Sequence, residues 1–98
     1  MITLEQGITV ARQIEDVLKE VNCHCALGGS VLHKGSSDKD LDIFIYHHDI
    51  TVKTPDVTII AALAKFINDS LYKLNSNYFD KEIYTSKYKG IRIDFFLL

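Results

Sequence analysis

The chain has one proline, two cysteines and a net charge of only −2 across its 98 residues. Each shortage excludes something. With so little proline, and with 47% apolar and 24% charged residues, the composition is globular rather than disordered or fibrous. A near-neutral balance excludes nucleic-acid binding driven by the overall field and leaves only a local basic patch able to serve it. No run approaches the ~20 apolar residues of a membrane span, and Met1-Ile2-Thr3-Leu4-Glu5 has neither the basic segment nor the apolar stretch of a leader. A cytoplasmic protein with no membrane contact is expected. Cys23 and Cys25 flank His24 on one strand face, a poor arrangement for closing a disulfide, so both are expected as buried free thiols. Ninety-eight residues suffice for a single domain, 1–98, with no room for a second.

What is present divides into helical and strand-like stretches. Thr3-Leu4-Glu5-Gln6 has the capping-box pattern that opens a helix. Val10, Ile14, Val17, Leu18 and Val21 then recur at helical spacing opposite Arg12, Glu15, Asp16, Lys19 and Glu20, which carries the helix to about Val21, with Gly7 weakening its first turns. Asn22 suits a left-handed exit, and 23–27 reads as a short buried strand. Residues 40–46 alternate, with Leu41, Ile43 and Ile45 toward the core and Asp40, Asp42, Phe44 and Tyr46 away from it. His47 and His48 then point to opposite faces, as surface histidines rather than joint metal ligands. Thr54-Pro55 starts a second helix, with a stripe of Ile60, Leu63, Ile67, Leu71 and Leu74 running into the polar Asn75-Ser76-Asn77. Residues 79–88 and 91–98 are strand-like, and the Lys89-Gly90 link makes them an antiparallel hairpin. The last strand, apolar on both faces, belongs in the middle of a sheet.

Two short segments carry chemistry. Leu27-Gly28-Gly29-Ser30 ends a strand at paired glycines, and such a turn leaves N–H groups free to meet phosphate oxygens. Asp40-Leu41-Asp42-Ile43 sets two carboxylates on one strand face, about 6.5 Å apart at Cα, close enough to converge on divalent cations. Mg²⁺ takes one or two carboxylates and completes its shell with substrate phosphates, so together they describe a nucleotide site. Asp94 is an isolated carboxylate in the apolar run Ile91-Arg92-Ile93-Asp94-Phe95-Phe96, costly to bury without a cation or hydrogen bonds.

These residues resemble the polymerase-β-like nucleotidyltransferase superfamily, whose signature is an apolar residue, Gly, Gly or Ser, a spacer of about ten, then Asp-apolar-Asp-apolar, with a third carboxylate on a later strand. Leu27, Gly28, Gly29, residues 30–39, Asp40, Leu41, Asp42 and Ile43 fit it. Ser37-Asp38-Lys39-Asp40-Leu41 also resembles the Ser-Asp-x-Asp-Leu form of minimal members, which would pair Asp38 with Asp40. The apolar Leu41 between Asp40 and Asp42 favours the first register. The resemblance implies an α/β (α+β) two-layer fold, a mixed sheet with two helices packed on one side. It implies transfer of a nucleoside monophosphate from a nucleoside triphosphate to a hydroxyl. Two Mg²⁺ ions, or Mn²⁺ in their place, would be held by Asp40, Asp42 and Asp94, with Asp94 accepting the hydroxyl proton. Gly28, Gly29 and Ser30 would bind the triphosphate.

Lys34, Lys39 and Arg92 are candidates for neutralising phosphate charge. Tyr84 and Tyr88 can stack a base or equally pack the hairpin. Larger relatives carry further elements that position the acceptor, so the resemblance covers only a catalytic core. It implies a partner protein or a homodimer to complete the acceptor site, as in minimal antitoxin-type forms. The acceptor is a protein hydroxyl, an RNA end or a small molecule. The rival reading is a non-catalytic regulatory or interaction module, antitoxin-like, on the same scaffold.

Overall fold

The computed structural model describes residues 2–29, 35–37, 40–78 and 81–98, and its first helix begins where the capping box expects it. Thr3 Oγ1 accepts the Gln6 N–H at 3.2 Å while Gln6 Oε1 accepts the Thr3 N–H at 2.9 Å. Both bonds satisfy backbone donors at the start of α1 (Leu4–Leu18). Gly7 does not break the helix; it is buried beside Val10, Ile14 and Leu18. The α-helix ends earlier than the expected Val21, because Lys19–Val21 tightens into a 3₁₀ turn before Asn22 exits at φ 57°.

The remaining elements are β1 (Ile2–Thr3), β2 (Cys23–Gly28), β3 (Ser36–Ser37), β4 (Asp40–His47), α2 (Asp56–Ile67), β5 (Tyr72–Tyr78), β6 (Lys81–Tyr88) and β7 (Ile91–Leu97). A five-stranded sheet runs β2-β4-β7-β6-β5, and β1 pairs with β3 in a small ribbon. The β4–β7 pair is parallel and the other pairs of the main sheet are antiparallel. This is the expected mixed sheet, with β7 at its centre. Leu41, Ile43 and Ile45 sit beside Ile93, Phe95 and Leu97 in register. These six meet Ile14 and Leu18 of α1 and Ile59 and Leu63 of α2 in one core. Both helices thus cover the same side of the sheet, and the alternate residues of β4 and β7 face away from them.

Several expectations about the elements need correction. The apolar stripe through Leu71 and Leu74 is not one helix: α2 stops at Ile67, Asn68 turns away at φ 60°, and Tyr72–Tyr78 is an edge strand. An apolar spacing of three and four does not say where a helix ends. The polar Asn68-Asp69-Ser70 break does, and Asp69 Oδ1 accepts the Ser70 N–H there at 2.7 Å. Ile59, not Ile60, is the fully buried residue of the first turn of α2. The helix does start at Thr54-Pro55, with Pro55 one residue earlier than expected, at the N-cap rather than the first helical position, and the Thr54 hydroxyl donates to Val21 O at 2.6 Å. β2 is an edge strand: Cys23 is buried, Cys25 half-buried, and both thiols are free. β6 begins at Lys81, and Phe79 lies outside the described residues. Lys89 and Gly90 take φ 51° and 80°, the two left-handed positions of a tight hairpin turn. Among the described residues no helix is long and apolar enough to cross a membrane.

Candidate metal and nucleotide site

The face of the sheet turned away from α1 and α2 is organised in lateral rows, because register partners on neighbouring strands share a face. One row runs across all five strands as Gly28, Asp42, Asp94, Thr85 and Tyr72. A second, one step along, holds Asp40, Arg92 and Lys87. On the other side of the first row lie Ala26, Phe44, Phe96 and Ile83, with the Phe44 and Phe96 rings stacked at 4.6 Å.

Asp40, Asp42 and Asp94 each bring one carboxylate oxygen to within 4.8 Å of the other two. Fifty-one residues stand between Asp42 and Asp94, and the parallel β4–β7 pairing makes them direct neighbours. Asp94 is only 7% exposed, and its charge is met by Arg92, whose Nε donates to Oδ1 at 3.1 Å and Nη2 to Oδ2 at 3.4 Å. The same Nε stands 4.0 Å from Asp40 Oδ2. Burial pushes the Asp42 carboxyl up to about 6, the neighbouring charges of Asp40 and Asp94 add to that, and Arg92 pulls the other way. All the donors are hard carboxylate oxygens, the set that suits Mg²⁺ or Mn²⁺ rather than a thiophilic ion. The like-charge crowding that raises Asp42 is also what a divalent cation relieves.

The diglycine is built into this cluster. A Cβ on Gly28 would run into the Phe44 ring, and one on Gly29 would fall onto Asp42 Oδ2. Gly29 also stands at φ 67°, where a side chain is strained. The two halves of the sequence motif therefore interlock, and glycine is required for space as well as for conformation. Ser30, Lys34, Asp38 and Lys39 lie outside the described residues, and with them the register that pairs Asp38 with Asp40.

Other sequence candidates fall elsewhere. Tyr84 is the register partner of the buried Phe95, and Tyr88 stacks on Phe66 at 4.9 Å and donates to Gln13 Oε1 at 3.1 Å. Both therefore pack on the helix side, away from the carboxylates. His47 accepts the Thr54 N–H at 3.2 Å and is not joined to His48, as expected of strand neighbours. His48 instead meets His24, a contact that no local spacing announces. Equally invisible in the sequence is a cavity of about 360 Å³ whose lining includes Tyr72, Leu74, Thr85, Lys87 and Arg92. Thr85 reaches the first row only through strand pairing.

No family model matches the chain, and no curated protein matches it in sequence. Among solved structures it resembles polymerase β of Leishmania infantum in a ternary gap complex, with a TM-score of 0.64 and 13% identity over 99% of this chain and 38% of that one. It also resembles the Cid1 poly(U) polymerase in a MgGTP-bound structure, with a TM-score of 0.61 and 16% identity over 96% of this chain and 32% of that one. The chain thus spans a little over a third and a little under a third of those two polymerases. Its five-stranded mixed sheet, with α1 and α2 packed on one side, has the polymerase-β-like nucleotidyltransferase fold.

Proposed function

We propose that residues 1–98 form the catalytic core of a nucleotidyltransferase that moves a nucleoside monophosphate from a nucleoside triphosphate to a hydroxyl acceptor. The observation that carries this reading is the meeting of Asp40, Asp42 and Asp94 within 4.8 Å, beside a diglycine that has no room for side chains. Asp40, Asp42 and Asp94 are the residues that would hold Mg²⁺. Divalent ions bound there supply charge neutralisation of the triphosphate and a lowered pKa for the attacking hydroxyl.

The chain's own groups do the rest. The turn at Gly28 and Gly29, continued by Ser30, offers backbone N–H groups to phosphate oxygens. The acceptor oxygen forms a bond to the α-phosphorus, the bond from that phosphorus to the β-bridging oxygen breaks, and pyrophosphate leaves. The acceptor's proton passes to Asp94. Diglycine and Asp94 lie on opposite sides of Asp42 in the row, so the acceptor approaches from the β6 side, over Thr85 and the cavity beyond it. Lys39 joins Arg92 as a phosphate counter-charge. A partner protein or a second copy of the chain presents the acceptor, which includes an RNA end among its candidates.

The test is incubation with each labelled nucleoside triphosphate, Mg²⁺ and candidate acceptors, comparing the wild type with Asp40→Ala/Asp42→Ala. Label transfer abolished by the double substitution supports the assignment, and transfer that survives it removes it. One observation favours a second reading, a non-catalytic interaction module: Arg92 already supplies the acidic cluster with a cation from within the chain. Calorimetric titration with Mg²⁺ and a non-hydrolysable triphosphate separates the two, since the module binds neither.

A further inference from the structure

At the far end of β2 and β4 from the three carboxylates, a second cluster of ligating groups forms across the sheet edge. His24 Nδ1 lies 2.7 Å from Glu15 Oε2, and His24 Nε2 lies 2.7 Å from His48 Nδ1. The other Glu15 oxygen, Oε1, accepts the Cys25 N–H at 2.9 Å. Three separate elements, α1, β2 and the end of β4, thus meet through two imidazoles and a carboxylate.

The chemistry of the chain fixes its direction. An ionised carboxylate only accepts, so His24 Nδ1 carries the proton donated to Glu15. His24 Nε2 then presents a lone pair outward, toward His48. A histidine whose far nitrogen is pinned by a carboxylate while its near nitrogen faces another imidazole is the arrangement in which proteins hold transition-metal ions. Glu15 is doubly anchored, so the His24 ring is oriented before any ligand arrives.

The geometry points to a binding site for a late first-row divalent ion of the zinc class, with His24 Nε2 and His48 Nδ1 as its protein ligands and Glu15 as the group that orients His24. This site is distinct in kind from the carboxylate cluster, because imidazole nitrogens suit Zn²⁺, Cu²⁺ or Ni²⁺ where carboxylates suit Mg²⁺. Nitrogens at hydrogen-bond distance must part by about 0.6 Å to share a tetrahedral ion with bonds of about 2.0–2.1 Å. His48 is exposed and lies one residue beyond the end of β4, so its ring can make that shift. The proton His48 holds on Nδ1 moves to its own Nε2, a change of tautomer that leaves net charge unaltered. A cavity of about 250 Å³, lined by Lys19, Asn22, Cys23, His24 and His48, gives room for water to fill the other positions. The charge of Lys19 in that lining is met by Asp16, whose Oδ1 stands 3.7 Å from Lys19 Nζ.

The experiment titrates Co²⁺ into the full chain, follows the visible d–d absorption, and displaces it with Zn²⁺. It is run in an Asp40→Asn/Asp42→Asn background so that the carboxylate cluster contributes nothing. One Co²⁺ per chain is expected, with the band lost in His48→Ala and the affinity lowered about 10–100-fold in Glu15→Gln, whose amide oxygen can still accept the Cys25 N–H. Circular dichroism of each variant checks folding, and His48→Ala, at an exposed position, removes no core contact. No band in the background protein, or a band that His48→Ala leaves intact, overturns the site, and neither result bears on nucleotidyl transfer.

Discussion

Gly29 lies so close to Asp42 that the Oδ2 of the carboxylate occupies the space a Cβ on Gly29 would take. The diglycine and the paired aspartates therefore form one structural unit, although 12 residues stand between Gly29 and Asp42. Gly29→Ala should displace Asp42 and force a side chain into the left-handed region, costing about 1–2 kcal/mol of stability from the backbone alone. If the proposed chemistry runs at this cluster, transfer should fall on the order of 100-fold. Thermal melts and label transfer measured side by side check it; unchanged transfer in a stable Gly29→Ala protein would sink the coupling.

Asp42 is held at a raised pKa, and that has a sign. The unfolded chain releases the Asp42 proton near the ordinary value of 3.8, the folded chain only near about 6. The folded state binds this proton more tightly, so stability declines as pH rises between those values and is level above them. Asp42→Asn should thus stabilise the protein at pH 7 by about 1 kcal/mol, a figure reduced for the half-exposed position. The melting temperature should rise by about 4–8 °C, with the gain shrinking toward zero as pH is lowered to 4. A gain independent of pH would mean that the carboxylate charge is not its source.

Mg²⁺ should stabilise the wild type and not Asp40→Asn/Asp42→Asn. An ion bound only by the folded state adds about 2.7 kcal/mol at a hundredfold excess over its dissociation constant. Melting temperatures with Mg²⁺ and with EDTA read this directly, and equal shifts in both proteins would place the ion elsewhere.

Arg92 acts on both sides of the site, donating to Asp94 and lowering the Asp42 pKa. In Arg92→Gln the Asp42 pKa should climb above its present position, moving the acidic limb of the pH–rate profile of transfer to higher pH. A limb that stays in place, or moves to lower pH, would contradict the charge balance drawn from the structure.

Thr3→Ala removes one half of the capping box and should cost about 1 kcal/mol, lowering the melting temperature by about 4–8 °C. Transfer at 25 °C should be unchanged, since the Thr3 hydroxyl is engaged with the Gln6 N–H and the backbone pairing of Thr3 with Ser36 survives the substitution. Denaturant unfolding together with the transfer assay tests whether stability and site separate this way.

By itself the sequence determined the local features. The capping box at Thr3, the left-handed exit at Asn22, the alternation that buries Leu41, Ile43 and Ile45, and the Lys89-Gly90 turn all depend on neighbouring residues, so a linear reading finds them. The spacing from Gly28 to Asp42 was legible for the same reason, since the motif runs unbroken in sequence from the end of β2 into β4. The end of α2 at Ile67 and the strand after it were not, because an apolar stripe reads alike in a helix and beyond it until packing decides. Only the tertiary structure decided which distant groups meet. Parallel pairing of β4 with β7 sets Asp42 beside Asp94 and Arg92 between carboxylates, and antiparallel pairing of β6 with β7 sets Thr85 next to Asp94 in their row. The antiparallel edge brings His24 to His48, and α1 brings Glu15 to His24 and the Cys25 N–H. Such contacts depend on strand order and register, which are fixed by burial of the whole core rather than by any one segment.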